Sequence, residues 1–374
     1  MKILFFLLLG CTLFAHSLKD AEDMHGKTLN VGVFADVAYK TKDLYPRGVE
    51  GTLGYENHGT IEKVELNHVG MYLEGNYAED FLYGFELNRH VDAPKDFDSY
   101  LEKLYIGYKK FGATLLIGRN YNPVSFVREK AWGYGFAQMP LAIDSFFDGT
   151  YIGDGALLNY STNGLSFSFD YSQDKYNDLR RKTLYFAYTY DRFKWITYAQ
   201  TREKSQFRIN YDDTQHSHSH GSQEGCDNLD VEERCFVRDN KLIGVGAQAK
   251  FEHLELQGEY LYLHTEGEVS SSMYKIDNEN KIHALYLQGI ADYNNFLFGL
   301  RSELFMFSNN YIGNGAPEVA GVITDESANT TQYLHTIMGG YRFHESNRLI
   351  VQFENAHEEW GVRINYAIIF NKGL

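Results

Sequence analysis

The chain has 374 residues, with 35 Lys and Arg against 50 Asp and Glu, and its net charge of −15 excludes a dedicated nucleic-acid-binding surface. Mean hydropathy is −0.40, and beyond the N-terminus no stretch approaches the roughly 18 apolar residues of a spanning helix, so the α-helical membrane class is excluded too. The abundance of Tyr (29), Phe (26) and Gly (34) against only 5 Pro favours strands, because aromatics fill pleated surfaces, Gly serves tight turns and scarce Pro leaves ladder donors intact.

In chain order the first element is an export signal. Met1-Lys2 is a short positive start, residues 3–14 are mainly apolar, and Ala15-His16-Ser17 is a small-x-small cleavage pattern, so 1–17 is expected to be removed. Leu8-Leu9-Gly10-Cys11 superficially reads as a lipoprotein box, but only ten residues precede Cys11 and much of the apolar run follows it. Residues 18–374 then read as one domain with period-2 alternation almost throughout. In the last segment Trp360, Val362, Ile364, Tyr366 and Ile368 alternate with Gly361, Arg363, Asn365 and Ala367. A soluble sandwich alternates in the same way, so connection lengths have to decide.

Those lengths predict an all-β chain folded as a transmembrane antiparallel β-barrel of about sixteen strands, each roughly ten residues, which is the length of a tilted membrane strand. The expected strands are 29–39, 64–77, 81–89, 100–109, 113–119, 151–160, 165–171, 182–190, 193–201, 242–251, 254–264, 282–293, 296–307, 332–343, 349–355 and 359–370. Short connections (78–80, 110–112, 161–164, 191–192, 252–253, 294–295, 344–348) and long ones (40–63, 120–150, 202–241, 308–331) accompany them. Short periplasmic turns on one rim and long external loops on the other give that signature in the outer membrane of a Gram-negative bacterium. An even strand count puts both termini on the periplasmic side and lets the last strand close on the first. No N-terminal plug is expected, which argues against a TonB-type transporter. Phe370 is the kind of near-terminal aromatic that barrel assembly machinery reads, although Asn371 to Leu374 follow it.

The third external loop, 120–150, carries Arg128, Glu129 and Lys130, then Trp132, Tyr134 and Phe136. A barrel of this size is too wide for wall side chains to fill, so the loop is expected to fold inward and set selectivity with its charges. The stretch Tyr100 to Lys109 (YLEKLYIGYK), then Leu116-Ile117-Gly118-Arg119 and Asn122-Pro123-Val124-Ser125-Phe126, resembles the phosphate-selective porins of the O and P type. The resemblance covers about a seventh of the chain. It implies a sixteen-stranded porin, usually trimeric, with basic residues along an anion path. Lys103, Lys109, Arg119, Arg128 and Lys130 are the matching positions that could supply charge, and Glu129 joins them at the constriction. Lys103 and Lys109 lie on the face opposite Leu104, Ile106 and Tyr108, toward the lumen. Glu86, Glu255 and Glu259 share the lumen face, which would favour cations there.

His216, His218 and His220 alternate in the loop 202–241, where imidazoles in an extended segment are expected to capture Zn²⁺ or Ni²⁺; no other cofactor is implied. Cys226 and Cys235 are the cysteines left after cleavage, and a disulfide between them is the default for an exported chain. No Ser, His and acid arrangement stands out, and Gly153-Asp154-Gly155 is not followed by Gly-Lys-Ser/Thr, so no enzyme is expected. The expected function is passive diffusion of small anionic or neutral solutes through a homotrimer among outer-membrane lipid and lipopolysaccharide. The alternative is a surface binding protein or adhesin whose barrel anchors the His-rich loop.

Overall fold

The computed structural model describes residues 28–41, 63–77, 80–90, 100–126, 140–147, 152–174, 180–210, 233–270, 275–312, 329–344, 347–356 and 359–373. Sixteen strands appear in the expected order: β1 (Thr28–Lys40), β2 (Lys63–Tyr77), β3 (Phe81–His90), β4 (Leu101–Lys110), β5 (Ala113–Tyr121), β6 (Ile152–Thr162), β7 (Leu165–Asp174) and β8 (Arg180–Tyr190). They continue with β9 (Phe193–Asn210), β10 (Glu233–Lys250), β11 (Leu254–Ser270), β12 (Lys275–Tyr293), β13 (Phe296–Ile312), β14 (Asn329–His344), β15 (Asn347–Ala356) and β16 (Glu359–Gly373). Each pairs antiparallel with its neighbours in sequence, and β1 closes on β16 with Val33 opposite Phe370, so the barrel has no open edge.

Side-chain alternation sorts the wall into two faces that are inverted relative to a soluble protein. Leu104, Ile106 and Ile117 point outward and are 53%, 70% and 54% exposed, in company with Phe167, Phe186, Trp195, Val245, Leu300, Ile337 and Ile368. Thr183, Gln200, Gln257, Asn280 and Gln352 point inward and are buried. A soluble chain does not expose so continuous an oily belt, whereas a lipid-embedded barrel requires it. Aromatics gather near the short-turn rim, where Phe81 meets Tyr108 at 5.2 Å, Tyr188 stacks on Trp195 at 5.8 Å and Phe296 meets Tyr341 at 5.1 Å. Tyr171, Tyr260 and Tyr333 mark the opposite margin. Such girdles fit the two interfaces of a membrane.

The tight turns are made as their residues demand. Phe111 and Gly112 have φ of 51° and 79°, and Asn163 and Gly164 have 44° and 82°, the doubly positive pattern of a two-residue hairpin turn whose twist matches the strands.

The barrel departs from the expectation in height. β9 runs to Asn210 and β10 starts at Glu233, so the expected loop 202–241 is partly strand; β11, β12, β13 and β14 are lengthened in the same direction. Beyond the lipid belt both faces of a strand are polar, as with Glu266 and Glu268 outside and Asn278 and Asn280 inside, so hydrophobic alternation vanishes while the ladder continues. At about 3.3 Å per residue, the 19 residues of β12 reach roughly 60 Å along the strand and the 9 of β5 roughly 30 Å. The wall is therefore tall over β9–β14 and low over β3–β8. Residues 1–27, which include the expected signal and Cys11, lie outside the described residues.

Candidate pore and its infolded loop

After β5 the chain turns at Asn122-Pro123-Val124-Ser125-Phe126 and enters the barrel. Val124 and Phe126 are buried against the inner wall, with Ser125 at a φ of 62°. The anchor is Glu259, on the inward face of β11. Its Oε1 accepts from the Ser125 hydroxyl (2.6 Å), the Phe126 backbone N–H (2.9 Å) and the Tyr286 hydroxyl (2.5 Å), and its Oε2 accepts from the Tyr198 hydroxyl (3.1 Å). Four donors converge on one buried carboxylate, which makes burying that group tolerable.

The returning half of the loop forms a short helix, α1 (Leu141–Phe147), clamped at both ends by the wall. The Ala142 N–H donates to Glu303 Oε2 on β13 (2.9 Å), and Arg202 on β9 donates to the Phe146 carbonyl (2.7 Å). An acid at the first turn and a cation at the last suit the helix dipole. Arg301 lies 3.0 Å from Glu303, so this acid is itself held. Leu141, Ala142, Ile143 and Phe146 pack into one buried cluster with wall residues that include Leu261, Ile282, Phe305 and Leu334.

The bed for this loop has a sequence signal that alternation alone passes over. Tyr260 to Leu263, Ala284 to Leu287 and Leu304 to Phe307 are apolar on both faces, lipid on one side and loop on the other. Gly246 on β10 completes the fit: a Cβ there would lie 2.6 Å from Glu259 Cγ and 2.8 Å from the Phe126 ring. Gly246→Val is expected to push Phe126 off the wall, at about 1–3 kcal/mol for overpacking. Thermal unfolding in detergent and single-channel recording check this; unchanged stability and unchanged conductance would contradict it.

The sequence-expected pore residues are distributed unevenly. Lys103 faces inward as expected, but it is 2.7 Å from Glu74 and 3.0 Å from Glu86 and lies over the Tyr121 ring at 5.0 Å, so its charge is matched. Lys109 shares that face and is exposed beside the tight turn at the short-turn rim, well away from the third loop. The register sets Arg119 opposite Leu104 on β4 and Asp154 on β6; it is buried, makes a two-pronged bond to Asp154 (2.9 and 2.7 Å) and donates to the Leu101 carbonyl (3.2 Å), so its charge is matched. Arg128, Glu129 and Lys130 lie outside the described residues. So do His216, His218, His220 and Cys226, while Cys235 is fully buried on β10 and disulfide-bonded.

The inward carboxylates are not free selectivity charges. Glu86 pairs with Lys103, Glu255 accepts from Gln248 (2.8 Å), and Glu259 is covered by the loop. Reading the sequence missed a basic stripe on the opposite wall. Arg342 of β14 and Arg348 of β15 are directly opposed in register on the inward face, and Arg363 of β16 follows, opposite Lys40 of β1. Arg342 is 3.0 Å from Asp292; Asp36 accepts from Asn365 (2.9 Å) and meets His68 at 2.6 Å. Like charges directly across a strand pair are disfavoured, and Asp292 answers part of this charge at Arg342.

A closed sixteen-stranded barrel with an oily exterior, a polar interior and a long loop pinned inside it defines an outer-membrane-type β-barrel. No family model and no curated protein sequence matches the chain. Among solved structures it is similar to the trimer form of OmpT, an outer membrane protein of Vibrio cholerae, at 9% identity and TM-score 0.62, covering 92% of this chain and 100% of that one. The outer membrane channel DcaP of Acinetobacter baumannii gives 12% identity and TM-score 0.56 over 92% of this chain and 98% of that one. The anion-selective porin of Comamonas acidovorans gives 13% and 0.53 over 92% of this chain and 99% of that one. At these identities the likeness is one of fold.

Proposed function

We propose that this chain is an outer-membrane porin of a Gram-negative bacterium, through which small hydrophilic solutes and ions diffuse passively, and that it is not an enzyme. The observation that carries the reading is the third loop pinned inside a closed barrel by Glu259 and Glu303, since a barrel this wide needs an inner loop to narrow it. The two-residue turns then face the periplasm and the tall wall faces outside, with 1–17 as the cleaved signal. Anions are preferred. What supports this is the concentration of basic side chains on one stretch of the inner wall, where Arg342 and Arg348 are directly opposed and Arg363 stands opposite Lys40. The residues that resemble phosphate-selective porins and the anion-selective structural neighbour agree with that direction. A homotrimer seated in lipid and lipopolysaccharide, inserted by barrel assembly machinery, completes the proposal; the neighbour solved as a trimer supports its oligomeric part.

Planar-bilayer recording tests it. Purified protein is expected to add discrete conductance steps, with a reversal potential of chloride-preferring sign in a tenfold KCl gradient. A barrel that merely anchors a surface-binding loop would give no steps, and that result would overturn the porin reading.

A further inference from the structure

We infer that the outer wall of the β11–β12 hairpin carries a binding site for a divalent transition-metal ion of the zinc class, formed by His264, Glu266 and Glu279. The site is independent of the pore and of the histidines at 216–220. His264 and Glu266 are two residues apart on β11 and therefore share one face, and Glu279 of β12 stands directly across from Glu266. That face is the outward one, since His264 continues the line of Tyr260 and Tyr262. The three side chains thus sit just above the aromatic margin of the lipid belt, in water-accessible territory.

The distances fit an ion. His264 Nε2 is 3.4 Å from Glu266 Oε1 and 3.1 Å from Glu279 Oε1, and the three donor atoms all lie within 4.8 Å of one another. Ligands about 2.0–2.2 Å from a tetrahedral ion are themselves roughly 3.3–3.6 Å apart, so only small rotamer shifts separate this cluster from a three-ligand site with one position left to water. One imidazole nitrogen with two carboxylate oxygens selects zinc-like ions over calcium and magnesium, which prefer all-oxygen shells.

A second observation asks for a cation at the same place. Glu266 faces Glu279 directly, and in the next row outward Glu268 faces Asp277, so two acid–acid pairs follow one another up one face of the hairpin. Directly opposed like charges destabilise a strand pair unless something neutralises them. Lysines do part of this: Lys241 is 3.3 Å from Glu266, Lys281 is 2.7 Å from Glu279 and Lys275 is 2.8 Å from Glu268. Lys281 shares with His264 the same oxygen of Glu279, so it is the group a metal ion would displace. Two strands would then be stapled together where the wall rises clear of the membrane.

The test is calorimetric titration of the full-length barrel in detergent with ZnCl₂, in a background where His216, His218 and His220 are all Ala. One equivalent of Zn²⁺ is expected to remain bound in that background. His264→Ala should weaken it by at least about a hundredfold, because even the outer partners of metal ligands are worth about 10- to 100-fold. Glu279→Gln, a near-isosteric change at a partly exposed position, serves as the second variant should the histidine change impair folding, and it should show the same loss. Lys281→Ala removes the competing cation and should tighten binding, and Zn²⁺ should raise the barrel's thermal midpoint only where the site is intact. Zero equivalents in the triple-Ala background, or affinity unmoved by both His264→Ala and Glu279→Gln, would overturn the inference.

Discussion

Replacing Glu259 with Ala is expected to free the first half of the third loop and give larger, noisier single-channel conductance. The carboxylate is the shared acceptor for Ser125, Phe126, Tyr198 and Tyr286, which come from the loop and from two strands besides its own. Removing it strands four donors in a buried place, and at about 1–3 kcal/mol for each buried group left unpaired the loss reaches about 3 kcal/mol even if water rescues most of them. The barrel ladder is untouched, so the protein should still migrate as a folded barrel while the loop loosens. Glu259→Gln keeps a carbonyl acceptor but turns an amide donor toward other donors, and its effect should be intermediate. Glu303→Ala removes the other pin, at the start of α1. Because both acids hold one loop, the double variant should fall short of the sum of the two. Wild-type conductance in Glu259→Ala would mean that the loop stays in place by packing alone.

The fold was legible because one physical signal, oily and polar residues in alternation, acts wherever a strand crosses lipid. Trp360 to Ile368 and Phe167 to Tyr171 carry it with few interruptions, and the tight turns at Phe111-Gly112 and Asn163-Gly164 punctuate it. Where the strands rise out of lipid the signal ends, and so the strand ends at Asn210, Ser270 and Ile312 carry no alternation that would mark them. The third loop was legible from its length and its Asn-Pro start, but its anchors were not. An inward Glu looks the same in sequence whether it faces solvent, as a selectivity charge must, or binds a loop, as Glu259 does. Arg342 and Arg348 lie six residues apart in sequence, on strands either side of a turn, and only the register makes them neighbours.

That arginine pair carries the second large effect. Neutralising the stripe with Arg342→Gln, Arg348→Gln and Arg363→Gln is expected to move the reversal potential from chloride-preferring toward zero or beyond. A perfectly selective pore gives about 59 mV for a tenfold gradient of a monovalent ion, so the expected shift of some tens of millivolts is easily read. The effect should be largest at low salt, because at about 0.1 M the screening length is about 10 Å, comparable with the span of the stripe, and it shrinks as salt rises. The triple Lys variant retains the charge and should keep the sign of selectivity while losing the planar, two-pronged fit to oxyanions that Arg offers. The two variants therefore separate charge from geometry. Asp292 offsets part of the charge of Arg342, so Asp292→Asn should shift the potential the opposite way, toward stronger anion preference, by a smaller amount. If the triple Gln variant keeps the wild-type reversal potential while Arg128 and Lys130 variants abolish it, then selectivity resides in the third loop, and the wall arginines serve the packing of β14–β16.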